Sequence, residues 1–256
     1  MTPGVTWTRG EMLAVAGSLQ VRDGDVTVVG LGLPQVCGFL ARRTHAPSVR
    51  LLLEIGAFEP DPTESAMGIA DPRMWEGSTA FGSLLEVLGV MLHGQRVSLG
   101  LLGALEVDQW GSLNTTEIVA EDGTRRRFRG SGGGNDISSS AERTVIIMTH
   151  QPRKFASTLA FLTSPGRRVD GRSRPELGLT GEGPTAIVTD RAVIALGASG
   201  ATLESVHPGE DPDAVVAATP IPLAVPAGGP AETPSPTRFQ LDLIRSRLDP
   251  KRWYTG

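Results

Sequence analysis

Short aliphatic runs recur along the chain with helix-patterned segments between them, and this alternation restricts the fold more than any other feature. The runs are VTVVG (26–30), VRLLLE (49–54), RVSLGLLGALEVD (96–108) with a glycine-loosened interior, and RTVIIMT (143–149). A strand that is apolar at every position must be covered on both faces, the situation of a parallel strand under two layers of helices. Thr8–Gln20 has apolar residues at helical spacing behind a threonine that can cap it, and a second helix follows GLGLP and is stopped by Pro47. FGSLLEVLGVMLHG (81–94) reads as a further helix, and TRFQLDLIRSRLDP as an amphipathic C-terminal helix over 237–249. The expected architecture is therefore α/β, three-layer α/β/α with a mainly parallel open sheet, in a single domain over 1–256.

Other segments serve this frame. QWGSLNTT (109–116) reads as a turn, and GPTAIVTDRAVIAL (183–196) as a hairpin or paired edge strands around Asp190. Residues 208–236, rich in Pro, Ala and Gly, read as a connector over the surface. Residues 58–77, with prolines at 60, 62 and 72, form an irregular excursion of a length that is usually functional or disordered.

Composition narrows the function classes. The 28 acidic and 24 basic residues are interspersed and leave a net charge of -4, which argues against a nucleic-acid surface. The basic run TRRRFRG (124–130) reads as a solvated turn, with an anion-facing loop as the alternative. Cys37 is the only cysteine and sits on an apolar helix face, so no intrachain disulfide exists and a buried thiol is expected. His45, His93, His150 and His207 are scattered without metal-ligand spacing, so no metal site is expected. No segment reads as a signal peptide or membrane span, and a cytoplasmic location is expected.

In a doubly wound sheet ligands sit beyond the carboxyl ends of the strands. Three glycine-marked places qualify: VVGLGLP (28–34), LLLEIGAF (51–58) and GSGGGND (130–136). Gly30 and Gly32 lack the third glycine of a dinucleotide fingerprint, since position 35 is Gln, so a nucleotide-binding or regulatory module is an outside alternative. Such a turn can present backbone N–H groups to an oxyanion, and so can the run Gly132, Gly133, Gly134. Ser131 is flanked by Arg129 and Gly133 and makes no nucleophile elbow. There remain Glu54, a carboxylate closing a greasy strand, the glycine loops, and Asn114. A carboxylate attacks acyl groups to give an anhydride or thioester, and partial desolvation at a strand end strengthens it. Gly56 is expected to leave room beside Glu54 for an acyl group.

Taken in order, WTRGEMLAV, VGLGLP, ARRTHAP, LLLEIG, DPRM, GALEVDQWGSLNTT, RFRGSGGGND, FLTSPG, AIVTD and IRSRLDP resemble the beta subunit of a family I CoA-transferase of the glutaconate CoA-transferase kind. The resemblance implies the superfamily's three-layer fold and pairing with a homologous alpha subunit into a heterodimer, heterotetramer or larger assembly. It implies no permanent cofactor, a coenzyme A thioester as substrate and a short or branched acid of the dicarboxylic kind as acceptor, with neither nucleic acid nor membrane as partner. Glu54 falls on the family's catalytic glutamate, which passes through an acyl anhydride to a glutamyl-CoA thioester. Gly30, Leu31 and the SGGG glycines fall on the oxyanion site, and Asn114 on an asparagine that contacts substrate or thioester. Two positions depart from the pattern: Ile55 stands where serine is frequent, which implies a more apolar pocket, and Ala70 where glycine is frequent. Relatives that lack the glutamate hydrolyse, decarboxylate or cleave CoA esters at a C–C bond; retention of Glu54 favours the transferase. An apolar surface that pairing covers is a further expectation.

Overall fold

In the computed structural model, which describes residues 5–69, 71–120 and 122–256, the aliphatic runs line up in one eleven-stranded sheet. Its strands are β1 (Val26–Val29), β2 (Arg50–Leu53), β3 (Ala57–Phe58), β4 (Ala80–Phe81), β5 (Leu99–Gly103), β6 (Arg143–Ile147), β7 (Gly183–Val188), β8 (Ala192–Gly197), β9 (Gly200–Val206), β10 (Leu223–Ala224) and β11 (Ala231–Glu232). They lie in the order β10-β9-β8-β7-β6-β5-β1-β2-β3-β4, with β11 beside β9. The central strands β7, β6, β5, β1 and β2 are parallel. The β2–β3–β4 and β7–β8–β9 meanders are antiparallel.

Alternating side chains build two cores. Val29, Leu51, Leu53, Leu101 and Val145 face α1 (Arg9–Ser18) and α2 (Leu33–Arg42), against Leu13, Val36 and Phe39. Val28, Leu52, Leu102, Ile146 and Ile187 face the other way, against Leu88 and Leu92 of the segment Leu85–Leu92, Ile137 of α3 (Gly134–Ser140) and Val215 of α4 (Pro212–Ala217). The layers are those expected from the strand pattern. Thr8 caps α1 through a capping box with Glu11.

Several details depart from the sequence reading. Segment 81–94 is helical only over Leu85–Leu92, where it is wound as a π-helix. The run 96–108 breaks after Gly103, and Glu106–Val107 pairs with Leu113–Asn114, so 109–116 is part strand and only part turn. The 183–196 hairpin forms but is not an edge, because β9 continues it. The connector 208–236 holds α4, β10 and β11. The C-terminal helix is α5 (Arg238–Leu243) continued by a π-turn over Ile244–Leu248. Position 70 lies outside the described residues, as do 1–4 and 121.

The chain leaves β1 for β2 on one side and later returns to β5 on the other. This is a switch in winding direction, and it opens a crevice at the carboxyl ends of the three strands. Gly30, Glu54 and Ala104 are the first residues beyond those ends.

Candidate active site

β2 holds Leu51, Leu52 and Leu53 almost wholly buried, which fixes the backbone from which the half-buried Glu54 leaves the sheet. Glu54 Oε2 accepts the Gly133 N–H at 2.9 Å. Gly133 stands immediately before α3, so this amide is free of the helix ladder and meets a carboxylate. A Cβ on Gly133 would lie 2.3 Å from Glu54 Oε2, and one on Gly132 3.7 Å from Oε1. The carboxylate therefore lies directly on the glycine backbone, an approach that a side chain at 133 would block.

Around this contact is a cavity of about 610 Å³. Gly30, Leu31, Glu54, Gly132, Gly133 and Gly134 all line it, so the structure brings six of the sequence-predicted residues to one place. Its walls are chiefly apolar, with Leu31, Ile69, Met74, Leu102, Leu113 and Phe128. Thr115, Arg129, Ser131 and Ser164 add polar groups. Phe128 and Arg129 come from the far end of the basic run, the one hint of them that the sequence held. Thr115 and Ser164 meet through the strand Leu113–Asn114, a tertiary pairing with no local signal.

The backbone donors divide into spent and unspent. Gly30 N–H donates to Leu101 O at 2.9 Å and Gly134 N–H to Ser131 O at 2.8 Å. Among the described residues the N–H groups of Leu31 and Gly132 have no acceptor, and both residues line the cavity. Gly30 permits close approach to the adjacent strand, since a Cβ there would meet Leu101 O at 2.8 Å. Gly32 caps α2 with φ of 84° beside the Tyr254 ring and, unlike Gly30 and Leu31, does not line the cavity.

Asn114 is not brought into the set. It is fully buried, its amide donates to Glu106 Oε2 at 2.7 Å and to Glu117 O, and its oxygen accepts from Thr116 N–H at 2.9 Å and Glu117 N–H at 3.2 Å. Two neighbours of Glu54 also differ from expectation. Ile55 packs on the α1–α2 core, so the cavity owes its apolar walls to other residues. Gly56 makes room for the chain itself: with φ of 104°, a Cβ there would lie 2.2 Å from Gly82 O, where the chain turns away from β4.

Cys37 is fully buried against α1, and burial pushes its thiol up far beyond the usual range. Among the described residues no three His, Cys, Asp or Glu side chains converge as metal ligands, and no helix is long and apolar enough to cross a membrane. The arrangement sets a carboxylate at a switch-point crevice, on a glycine backbone with unspent amides nearby, a combination of groups that is chemically suited to acyl transfer.

The model of the coenzyme A transferase family matches residues 10–218, and the chain belongs to that family. It is 34% identical to the beta subunit of 3-oxoadipate CoA-transferase from Pseudomonas knackmussii, over 94% of this chain and 93% of the relative. It is 30% identical to the beta subunit of glutaconate CoA-transferase from Acidaminococcus fermentans, over 98% and 96%. The crystal structure of glutaconate coenzyme A-transferase from Acidaminococcus fermentans superposes with a TM-score of 0.86 at 29% identity, covering 98% of both chains. The decarboxylase AibA/AibB shares the fold, with a TM-score of 0.81 at 24% identity.

Proposed function

We propose that this chain is the glutamate-bearing beta subunit of a heteromeric CoA-transferase that moves CoA between an acyl-CoA and a short or branched dicarboxylic acid. The observation that carries the reading is the Glu54 carboxylate resting on the Gly133 amide inside the cavity. In the first step a Glu54 oxygen attacks the acyl carbonyl, and collapse of the tetrahedral oxyanion expels CoA thiolate, leaving an acyl-glutamyl anhydride. The thiolate then attacks the glutamyl carbonyl and releases the donor acid as a carboxylate, giving the glutamyl-CoA thioester. The acceptor carboxylate reverses both steps and leaves with CoA. The N–H groups of Leu31 and Gly132 are the proposed oxyanion donors, and Asn114 is proposed to hold the wall that carries Thr115 rather than to touch the acyl group.

Two features support a dicarboxylic substrate. The apolar walls suit a short carbon chain, and Arg129 supplies a guanidinium at the same cavity for a distal carboxylate. The two similar relatives named above act, by their names, on 3-oxoadipate and glutaconate. A homologous alpha subunit is the proposed partner, and the complex works with no resident cofactor.

The test co-expresses the chain with that subunit and incubates the complex with acyl-CoA and borohydride. Mass spectrometry should find Glu54 reduced, and Glu54→Ala should lower kcat by on the order of 10³ or more. An unmodified Glu54 with full activity in the variant would sink the mechanism. Release of free CoA or carbon dioxide without any acceptor acid would instead assign a hydrolase or decarboxylase.

A further inference from the structure

A second cleft, of about 220 Å³, opens between Trp110, Arg167, Arg168, Arg174 and the end of β8 at Gly197. It shares no lining residue with the Glu54 cavity. Three guanidiniums converge here, and each is satisfied by carbonyl groups alone. Arg167 donates to Pro184 O at 3.3 Å, and Arg168 to Gly171 O at 3.2 Å while lying over the Trp110 ring at 5.4 Å. Arg174 is 3% exposed and donates to Gly166 O at 3.1 Å, Gly181 O at 3.2 Å, Thr180 O at 2.7 Å and Ser138 O and Ser139 O at 2.9 Å.

None of the three forms an ion pair among the described residues. Two carboxylates are near. Glu182 stands on the wall without pairing, and Glu176 turns Oε2 to the Ser173 N–H at 2.7 Å and hydroxyl at 2.6 Å. Burial, and then the charge of Arg167, bring Arg174 down to about 10, so it remains a cation at neutral pH.

A buried cation with two further cations before it is costly unless a negative group enters. Each of the three nitrogens of Arg174 already donates to a carbonyl, so its chief contribution is charge. Arg167 and Arg168 each spend a single N–H and hold the rest of their forks free, and a guanidinium fork matches the oxygens of a phosphate. We propose that this cleft binds a phosphate-class oxyanion, free or as the phosphate monoester of a larger ligand, between the Arg167 and Arg168 forks with Arg174 behind it.

The proposal is tested on the chain co-expressed with its partner subunit, using equilibrium dialysis of radiolabelled inorganic phosphate at constant ionic strength in chloride. One saturable site per chain is expected. The double variant Arg167→Gln/Arg168→Gln should weaken it at least tenfold, and Arg167→Lys/Arg168→Lys, which keeps charge and packing stem but not the forks, should fall between. Glu54→Gln should leave it unchanged. Displacement of the label by CoA but not by dephospho-CoA would assign the anion to the CoA phosphomonoester, and displacement by neither to a free oxyanion; both outcomes uphold the site. Unsaturable binding, binding unaltered in the glutamine double variant, or loss of binding in Glu54→Gln would overturn it.

Discussion

Glu54 leaves a strand of buried leucines and comes to rest against a backbone amide with no side chain beside it. Gly133 has φ of -76°, which alanine adopts without strain, so Gly133→Ala tests the contact and not the backbone. The added methyl would sit 2.3 Å from Oε2 and 3.3 Å from Leu88 Cδ1. It should push the carboxylate off its donor and out of position for attack, lowering kcat by roughly 10²-fold, the scale of an ångström-sized misplacement, with a melting temperature close to wild type. Asn114→Ala separates a structural from a substrate role. It should cost about 1–3 kcal/mol in chemical unfolding, because the buried Thr116 N–H and the half-buried Glu106 carboxylate and Glu117 backbone lose their partner, and should leave KM little changed in enzyme that remains folded. Glu54 was legible in the sequence because a carboxylate after an apolar run is anomalous. The burial of Asn114 was not, because a turn and a short buried strand share the same polar composition over QWGSLNTT.

The parallel strands could be read from their continuous aliphatic content, since burial on both faces leaves that mark. α3 could not. Its residues GNDISSS are weak helix formers, and the helix exists because Ile137 is buried and Arg174 takes the carbonyls of Ser138 and Ser139 at its end. Another tertiary tie links the turn between β7 and β8 to the end of α4. His150, 8% exposed, meets Thr189 Oγ1 at 3.0 Å and Thr219 Oγ1 at 3.1 Å. Burial, aided by the Arg191 charge, pulls His150 down from 6.5 to about 4, and burial also lowers His207. Above pH 6.5 neither folded nor unfolded His150 is protonated and stability is level. Between about 6.5 and about 4 the unfolded chain takes up the proton first, so stability falls by up to roughly 1.4 kcal/mol per pH unit, and it levels again below. Urea unfolding between pH 7 and 4.5 should show a shallower decline in His150→Gln than in wild type.

At the scale of the whole molecule, one flank of the crevice is apolar and open. Phe81 is 67% exposed, Leu84 53%, Leu85 71% and Val90 53%, while Met67 is 56% and Ile69 45% exposed nearby. Large apolar side chains exposed in this number are characteristic of an interface, and the alpha subunit is the occupant we propose for them. Leu85→Glu should reduce co-purification with that subunit at least tenfold, yet alter the unfolding free energy of the isolated chain by no more than about 0.5 kcal/mol, because Leu85 is a surface residue there. Undiminished complex formation on size-exclusion chromatography would place the interface elsewhere.

By itself the sequence determined the layers, the succession of central strands, the acid at the end of β2 and the glycine loops that meet it, because burial and close approach to the backbone each demand particular residue types at particular positions. Only the tertiary structure decided which amides remain unspent, that Gly56 accommodates Gly82 and Asn114 a turn of its own loop, and that three arginines from one short stretch line one cleft with no ion pair to any of them among the described residues. Those outcomes depend on which segments pack together across the sheet, and no local pattern of residue types records a pairing between positions that are distant in the chain.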